Sequence, residues 1–135
     1  MTKMKPRIYL AGYVKEYEYR KYVAQKYGKV VTVFDPIKDI ECNMSDDIQE
    51  NFPVVETEKV EIANSHILVA YIRRKTIGTS MEILHAYNNN IPILIIIEDS
   101  ALKNDLWLAY HATRFFMTID DCFKLILNQF QIEFF

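Results

Sequence analysis

The carboxylate of Glu82 is the group in this sequence best placed to do chemistry. It lies in the stretch TIGTSMEILHAY, residues 76–87, which follows an apolar run, turns at Gly78 and then takes on helical spacing. A carboxylate in such a position can act as a nucleophile or stabilise a developing cation. It can also be structural, because Thr79-x-x-Glu82 has the form of a capping box. The local pattern alone favours the capping interpretation, with Glu82 on the first turn of its helix.

The other reactive groups do not form a recognised motif. The sequence contains no GxGxxG or GxxxxGK[ST] phosphate loop and no GxSxG nucleophile motif. His66, His85 and His111 are spread over separate predicted elements, without metal-ligand spacing to the cysteines. Cys42 and Cys122 lack CxxC spacing, which favours reduced thiols over a disulfide. We therefore expect no metal and no redox cofactor.

Alternating strand and helix patterns form the frame that must position Glu82. Short apolar runs predict strands at 6–12, 29–36, 66–72, 91–97 and 113–118. Helical spacing predicts helices at 15–28, 54–64 and 78–90, and a last helix capped by Thr118. Gly28 fits the glycine that commonly follows a helix. Residues 37–52 have weak periodicity and are predicted to be a polar, mobile connection.

Strands that alternate with helices imply βαβ units with right-handed crossovers. We therefore predict a doubly wound, flavodoxin-like or Rossmann-like α/β fold with a five-stranded parallel sheet flanked by helices. In such sheets, ligands bind beyond the carboxyl ends of the strands. Gly12, Asp35 and Glu82 each lie at or just past the end of a predicted strand, so we expect them near one edge.

Composition narrows the class of partner. The chain has 135 residues, which predicts one domain over 1–135, and half of the residues are hydrophobic. The net charge of −2 gives no electrostatic footprint for a nucleic-acid polymer or an anionic membrane surface. The longest apolar run, 91–97, is too short to span a bilayer. We expect a soluble, cytoplasmic protein whose partner is a small molecule.

Four segments, in order, resemble the nucleoside 2-deoxyribosyltransferase family, which includes the related nucleotide N-glycosidases. They are RIYLAG, VFDP, VVETEKVEIANSHILVAYI and GTSMEILHAYNNNIPILII, and the likeness covers roughly residues 6–121. The resemblance implies a doubly wound α/β domain that cleaves or transfers at the N-glycosidic bond of a nucleoside or nucleoside monophosphate. It also implies that Glu82 is the nucleophile and that Tyr9, on the first strand, orients it.

Further site residues and an oligomer are also predicted. Glycines and short polar side chains around the strand ends would bind substrate: Gly12, Asp35, Gly78 and Thr79. Each of them has an ordinary turn or helix role as its alternative. Asn104, shortly before Trp107, is similar to a family asparagine that reaches into a neighbouring subunit's site. This similarity implies a homodimer or a higher homo-oligomer, although Asn104 could instead cap a short helix.

Two positions depart from the family pattern. An aspartate that usually precedes the third strand and serves the leaving base is replaced by His66, and a second aspartate is replaced by Thr76. His66 could transfer a proton instead, since imidazole titrates near neutrality, or it could make a structural hydrogen bond. Glu58, an acidic residue on the preceding helix, is interpreted as a surface or local structural group. The losses leave two functions open: an enzyme, or a catalytically altered nucleotide-binding domain.

Overall fold

The computed structural model describes residues 5–133, which form alternating strands and helices. The strands are β1 (Arg7–Gly12), β2 (Thr32–Phe34), β3 (Ile67–Tyr71), β4 (Ile93–Ile96) and β5 (Arg114–Phe116). The α-helices are α1 (Tyr17–Tyr27), α2 (Pro36–Asp39), α3 (Phe52–Ala63), α4 (Ile77–Asn88), α5 (Leu106–His111) and α6 (Ile119–Gln129). Within this described part, no helix is both long and apolar enough to cross a membrane.

The sheet has five strands in the order β2-β1-β3-β4-β5, and every pairing between neighbours is parallel. This confirms the predicted α/β fold. The chain first moves from β1 to β2 and then returns to the other side of β1 to form β3, so the winding reverses between β1 and β3. Ligands of doubly wound sheets bind at that switch point. In the register of these two strands, Gly12 lies opposite Tyr71 at the carboxyl end.

The two faces of the sheet are covered by different helices because side chains alternate along each strand. On one face, Ile8, Leu10 and Val69 pack with the apolar side chains of α1 and α6. On the other face, Leu68 and Ile95 pack with apolar side chains of α3 and α4. The strands β3 and β4 are buried at every position, as their continuous apolar sequence predicts.

Several local details differ from the sequence predictions. The connection at 37–52 is not irregular: it contains most of α2 and two 3₁₀ turns, Glu41–Asn43 and Ile48–Asn51. Gly28 ends α1 with a φ of −62°, so it does not take the left-handed conformation typical of a glycine after a helix. Thr118 caps α6 as predicted, since its hydroxyl accepts a hydrogen bond from the amide of Asp121 at 3.0 Å.

Candidate active site

A cavity of about 660 Å³ opens at the carboxyl edge of the sheet, beside the switch point. Its wall combines the end of β1 with side chains from α1, the 3₁₀ turn at Glu41–Asn43, α3 and α4. The polar and glycine positions that line it include Gly12, Tyr13, Arg20, Glu41, Glu58, Lys59, Thr76, Gly78, Thr79, Glu82 and His85. The predicted residues Gly12, Gly78, Thr79 and Glu82 are therefore brought together in one pocket.

Gly12 keeps the floor of this pocket free of a side chain. Its φ is +148°, and a Cβ at this position would lie 2.9 Å from the backbone oxygen of Tyr71. Residues with a side chain rarely adopt such a φ, and a contact that short with a backbone atom would displace the strand. Because the position accepts only hydrogen here, a ligand can approach the backbone at the end of β1.

Glu82 is held by Tyr9 and not by a capping box. α4 begins at Ile77 with Thr76 as its N-cap, so Thr79 lies inside the helix and Glu82 lies on the second turn. The predicted Thr79–Glu82 box is therefore wrong. The hydroxyl of Tyr9, a fully buried residue of β1, donates a hydrogen bond to Oε2 of Glu82. The Tyr9 ring stacks on Phe34 of β2 with centroids 5.5 Å apart, which fixes the direction of that hydroxyl.

The pKa of Glu82 is raised to about 7, mainly by burial and also by the charge of the nearby Glu41 carboxyl. The hydrogen bond from Tyr9 and the positive charge of Arg20 act in the opposite direction and lower this pKa. Burial, followed by the charge of Glu82, raises the pKa of Tyr9 above its usual value, so Tyr9 stays a proton donor at neutral pH. Carboxyl groups with strongly shifted pKa values are concentrated at functional sites.

Glu58 also faces the pocket, which corrects its interpretation as a surface group. Burial raises its pKa well above the usual range, and a hydrogen bond with the carboxyl of Glu41 and the charge of Glu82 raise it further. Its Oε1 atom is buried and has no hydrogen-bond partner among residues 5–133. The raised pKa favours the protonated form of Glu58 at neutral pH, and the residue brings an unpaired polar atom to the pocket.

Asp35 lies beside the pocket and not in its lining. Its carboxylate accepts a hydrogen bond from Arg20 at 2.7 Å and caps α2 by accepting from the amides of Ile37 and Lys38. Both members of the Arg20–Asp35 ion pair are buried. The predicted ligand contact of Asp35 is replaced by a contact with Arg20, a cavity-lining residue that the sequence analysis did not single out.

The structure does not bring His66 to the pocket. His66 precedes β3 and therefore lies at the amino edge of the sheet, opposite Glu82. Its Nδ1 accepts a hydrogen bond from the backbone amide of Arg7 at 2.8 Å, and its ring meets Phe130 edge-on. Of the two roles considered for this residue, the geometry corresponds to the structural hydrogen bond, because no proton can pass directly from that edge to a ligand near Glu82.

Asn104 also lies outside the pocket of its own chain. It ends the 3₁₀ turn Ser100–Asn104, and the cap of α5 is the next residue, Asp105, whose carboxylate accepts from the amide of Leu108 at 3.0 Å. Asn104 is therefore not the helix cap that was considered as its alternative role. Among residues 5–133, no cluster of three or more His, Cys, Asp or Glu side chains has the arrangement of a metal site.

Solved structures resemble this chain over nearly its whole length. A 2-deoxyribosyltransferase from Bacillus psychrosaccharolyticus aligns with a TM-score of 0.75 and 17% identity, covering 96% of this chain and 98% of the enzyme. A conserved protein from Enterococcus faecalis V583 aligns with a TM-score of 0.71 and 17% identity, covering 93% and 99%. A CMP N-glycosidase from Clostridium botulinum aligns with a TM-score of 0.58 and 16% identity, covering 92% and 98%.

The chain shares their fold. These neighbours include both kinds of enzyme named for the family that the sequence resembles, a deoxyribosyltransferase and an N-glycosidase. No protein-family model matches the sequence, and no curated protein matches it. Identities of 16–17% establish a common architecture and leave the reaction to be argued from the site.

Proposed function

We propose that residues 1–135 form one domain of the nucleoside 2-deoxyribosyltransferase type, which cleaves or transfers at the N-glycosidic bond of a nucleoside or nucleoside monophosphate. The observation that carries this proposal is the hydrogen bond by which the buried Tyr9 holds Glu82, a residue that lines an open cavity at the switch point. The resemblance in sequence and the fold shared with enzymes of both activities support it.

Glu82 is the nucleophile in this proposal. Its carboxylate attacks the anomeric carbon of the sugar as the bond to the base nitrogen breaks, and the electron pair of that bond leaves with the base. The product is a glycosyl ester on Glu82, which water or a second base then releases. The hydrogen bond from Tyr9 to Oε2 fixes the rotation of the carboxylate toward the cavity. Because the pKa of Glu82 is about 7, a large fraction of the protein holds it ionised at neutral pH.

Glu58 supplies the proton that the leaving base needs. It is neutral at pH 7, it lines the same cavity as Glu82, and its Oε1 has no partner within the described chain. A neutral carboxyl beside an ionised one is the usual arrangement for an acid and a nucleophile in glycosidic cleavage. This assignment takes over the role considered for His66, which lies at the opposite edge of the sheet.

A second function is favoured by the burial of Glu82, which is the main reason that the pKa of this carboxyl is raised to about 7. A protonated Glu82 could donate a hydrogen bond to a sugar hydroxyl without attacking the ring, as in a nucleotide-binding domain on the same fold. Replacement of the second family aspartate by Thr76 points in the same direction. Such a domain would be stabilised by its ligand and would release no base.

We also propose that the functional unit is a homodimer or a larger homo-oligomer. The outer faces of α4 and α5 expose large apolar side chains next to the cavity: Ile77, Met81, Leu84, Leu106, Trp107 and Tyr110. Exposed patches of this kind mark interaction surfaces. Asn104 lies just before α5 and would reach the partner's site across this face. Light scattering at the concentration used for assays measures the oligomeric state. A monomeric wild type, or an unchanged oligomeric state in Trp107→Glu, would contradict the assembly.

The decisive experiment measures base release by chromatography from a panel of nucleosides and nucleoside monophosphates, with and without an acceptor base. Release that is lost in Glu82→Gln supports the enzyme, and dependence on the acceptor separates transfer from hydrolysis. The glutamine keeps an acceptor oxygen for Tyr9, so the fold is preserved while the charge is removed. Thermal stabilisation by a panel member, with no release from any of them, would reject the enzyme in favour of the binding domain.

A further inference from the structure

Arg20 is a cation buried beneath the candidate active site. It belongs to α1, it is 5% exposed, and part of it lines the cavity that contains Glu82. A buried arginine is rare unless its donors are paired, because removing the charge from water costs much free energy. The contacts of its guanidinium therefore indicate what the residue does.

The guanidinium ties together the ends of two strands. Its Nη2 donates to the backbone oxygen of Gly12 at 2.9 Å, and its Nη1 donates to Asp35 at 2.7 Å and to the backbone oxygen of Leu10 at 3.3 Å. Leu10 and Gly12 belong to β1, and Asp35 follows β2 and caps α2. One side chain thus fixes the floor of the cavity and the start of the segment that leads to Glu41.

The same guanidinium provides the positive charge opposite the cavity's carboxyl groups. It lowers the pKa of Glu82 and that of Glu58, against the burial that raises both. Its Nε is buried and has no partner within the described chain. The positive charge of Arg20 is therefore only partly neutralised by Asp35. The remaining charge attracts the carboxylates that line the cavity.

We propose that Arg20 is a positioning residue of the site: it holds the carboxyl ends of β1 and β2 in place beneath the cavity and supplies a buried counter-charge to Glu82. As far as it concerns catalysis, the proposal rests on the proposed function of Glu82. A lysine would not substitute fully, since an ammonium is a point charge without the planar fork that reaches both Gly12 and Asp35.

The test is a carbon NMR titration of the Glu82 carboxyl, assigned by its loss in Glu82→Gln. The charged and titratable groups that face Glu82 from the surrounding elements are Tyr9, Tyr13, Tyr19, Arg20, Glu41, Glu58, Lys59 and His85. Removing the cation in Arg20→Met should raise the Glu82 midpoint by about one pH unit. In Asp35→Asn the side-chain oxygen can still cap α2, but the charge that neutralises Arg20 is removed. The positive charge of Arg20 should then act more strongly on Glu82 and lower its titration midpoint. The exposed Arg7, paired with Glu61 at the other edge, gives the control Arg7→Met, which should leave it unchanged.

Base release provides the second readout. Arg20→Lys should keep the Glu82 midpoint near that of the wild type, because the charge remains. It should lower kcat by about tenfold while KM changes little, because the fork that holds Gly12 is lost. If Arg20→Met does not fold, two other results still test the proposal. They are the lower Glu82 midpoint expected in Asp35→Asn, and the unchanged midpoint with a lower kcat expected in Arg20→Lys.

The outcomes separate this proposal from the proposed function. Full activity in Arg20→Lys, an unshifted midpoint in folded Arg20→Met, or shifts of the same sign in Arg20→Met and Asp35→Asn would overturn the role of Arg20 while leaving Glu82 as the nucleophile. If the variants shift the Glu82 midpoint as expected but the wild type releases no base, the counter-charge role of Arg20 is supported and the enzymatic function is rejected.

Discussion

The two edges of the sheet use polar groups in different ways. At the amino edge, Nδ1 of His66 accepts from the amide of Arg7, and the Arg7 side chain pairs with Glu61 at 3.0 Å. At the carboxyl edge, polar side chains are packed around a cavity and are not fully paired. The three buried side-chain atoms without a partner in the described residues belong to Arg20, Glu58 and Thr76, and all three residues line that cavity.

The difference between the edges distinguishes structure from function. A buried polar group without a protein partner destabilises a fold unless water or a ligand binds it, and three such groups line this one cavity. The amino edge has no such groups among residues 5–133, although it carries the histidine that the sequence offered as a catalyst.

Changing Glu82 to Gln should reduce base release by roughly 10³-fold or more, because the amide cannot form the glycosyl ester. The same measurement on His66→Gln, at the amino edge, should stay within about twofold of the wild type. Steady-state rates on one substrate from the panel compare the two variants. Equal losses in both would mean that the two edges do not differ in function.

Changing Tyr9 to Phe should reduce kcat by up to about 10²-fold, because Glu82 loses the group that fixes its orientation. The acidic limb of the pH–rate profile should also move to higher pH, since the hydrogen bond from Tyr9 lowers the pKa of Glu82. Tyr22, whose hydroxyl donates to Asp120 outside the cavity, provides the control Tyr22→Phe, which should leave kcat and the profile unchanged. A profile that keeps its midpoint in Tyr9→Phe would argue against the assigned hydrogen bond.

The raised pKa of Glu82 should make the fold less stable as pH rises. The carboxyl titrates at 4.5 in the unfolded chain and at about 7 in the folded one, so the folded state holds the extra proton. Its stabilising contribution is present below pH 4.5 and is lost as pH rises through 7. The difference in unfolding free energy between Glu82→Gln and the wild type should therefore change in favour of the variant by on the order of 2 kcal/mol from pH 5 to pH 8. Urea unfolding of both proteins at pH 5 and pH 8 measures this change. A difference in unfolding free energy that is the same at both pH values would contradict the raised pKa of Glu82.

Changing His66 to Ala should have the smallest effect, a loss of about 1 kcal/mol in the free energy of unfolding with base release unchanged. The amide of Arg7 loses its acceptor, but this hydrogen bond is exposed and water can replace the imidazole. Thermal unfolding beside an activity assay checks both parts. A large loss of activity in a folded His66→Ala variant would show that His66 takes part in the reaction.

Much of the fold was predictable from sequence because its signals are local. The strands β3 and β4 are continuous apolar runs, and Thr118 precedes a strongly patterned helix, so neither needs tertiary information. The start of α4 was not predictable in this way. Thr76 and Thr79 are equally plausible caps by residue type, and the path of the loop after β3 decides that the helix begins at Ile77.

The surroundings of Glu82 could not be predicted, because they depend on contacts between distant segments. Glu41 lies in a polar connection and Glu58 on a helix with little apolar periodicity, and their mutual approach is a tertiary event. Arg20 lies in a helix rich in charged residues, where solvent exposure is the ordinary expectation. Their sequence signals are those of a solvated surface, and only the packed sheet shows that they share a cavity.

If Glu82 is the nucleophile, the covalent bond that it forms to the sugar can be trapped on the protein. Analogues of the panel substrates with fluorine at the sugar 2-position slow the release of a glycosyl ester, because fluorine destabilises the cationic transition state. After incubation, intact-protein mass spectrometry followed by peptide mapping should find one fluorinated sugar on the peptide that contains Glu82, and none on Glu82→Gln. Base release without an adduct, or an adduct that persists in Glu82→Gln, would contradict Glu82 as the nucleophile.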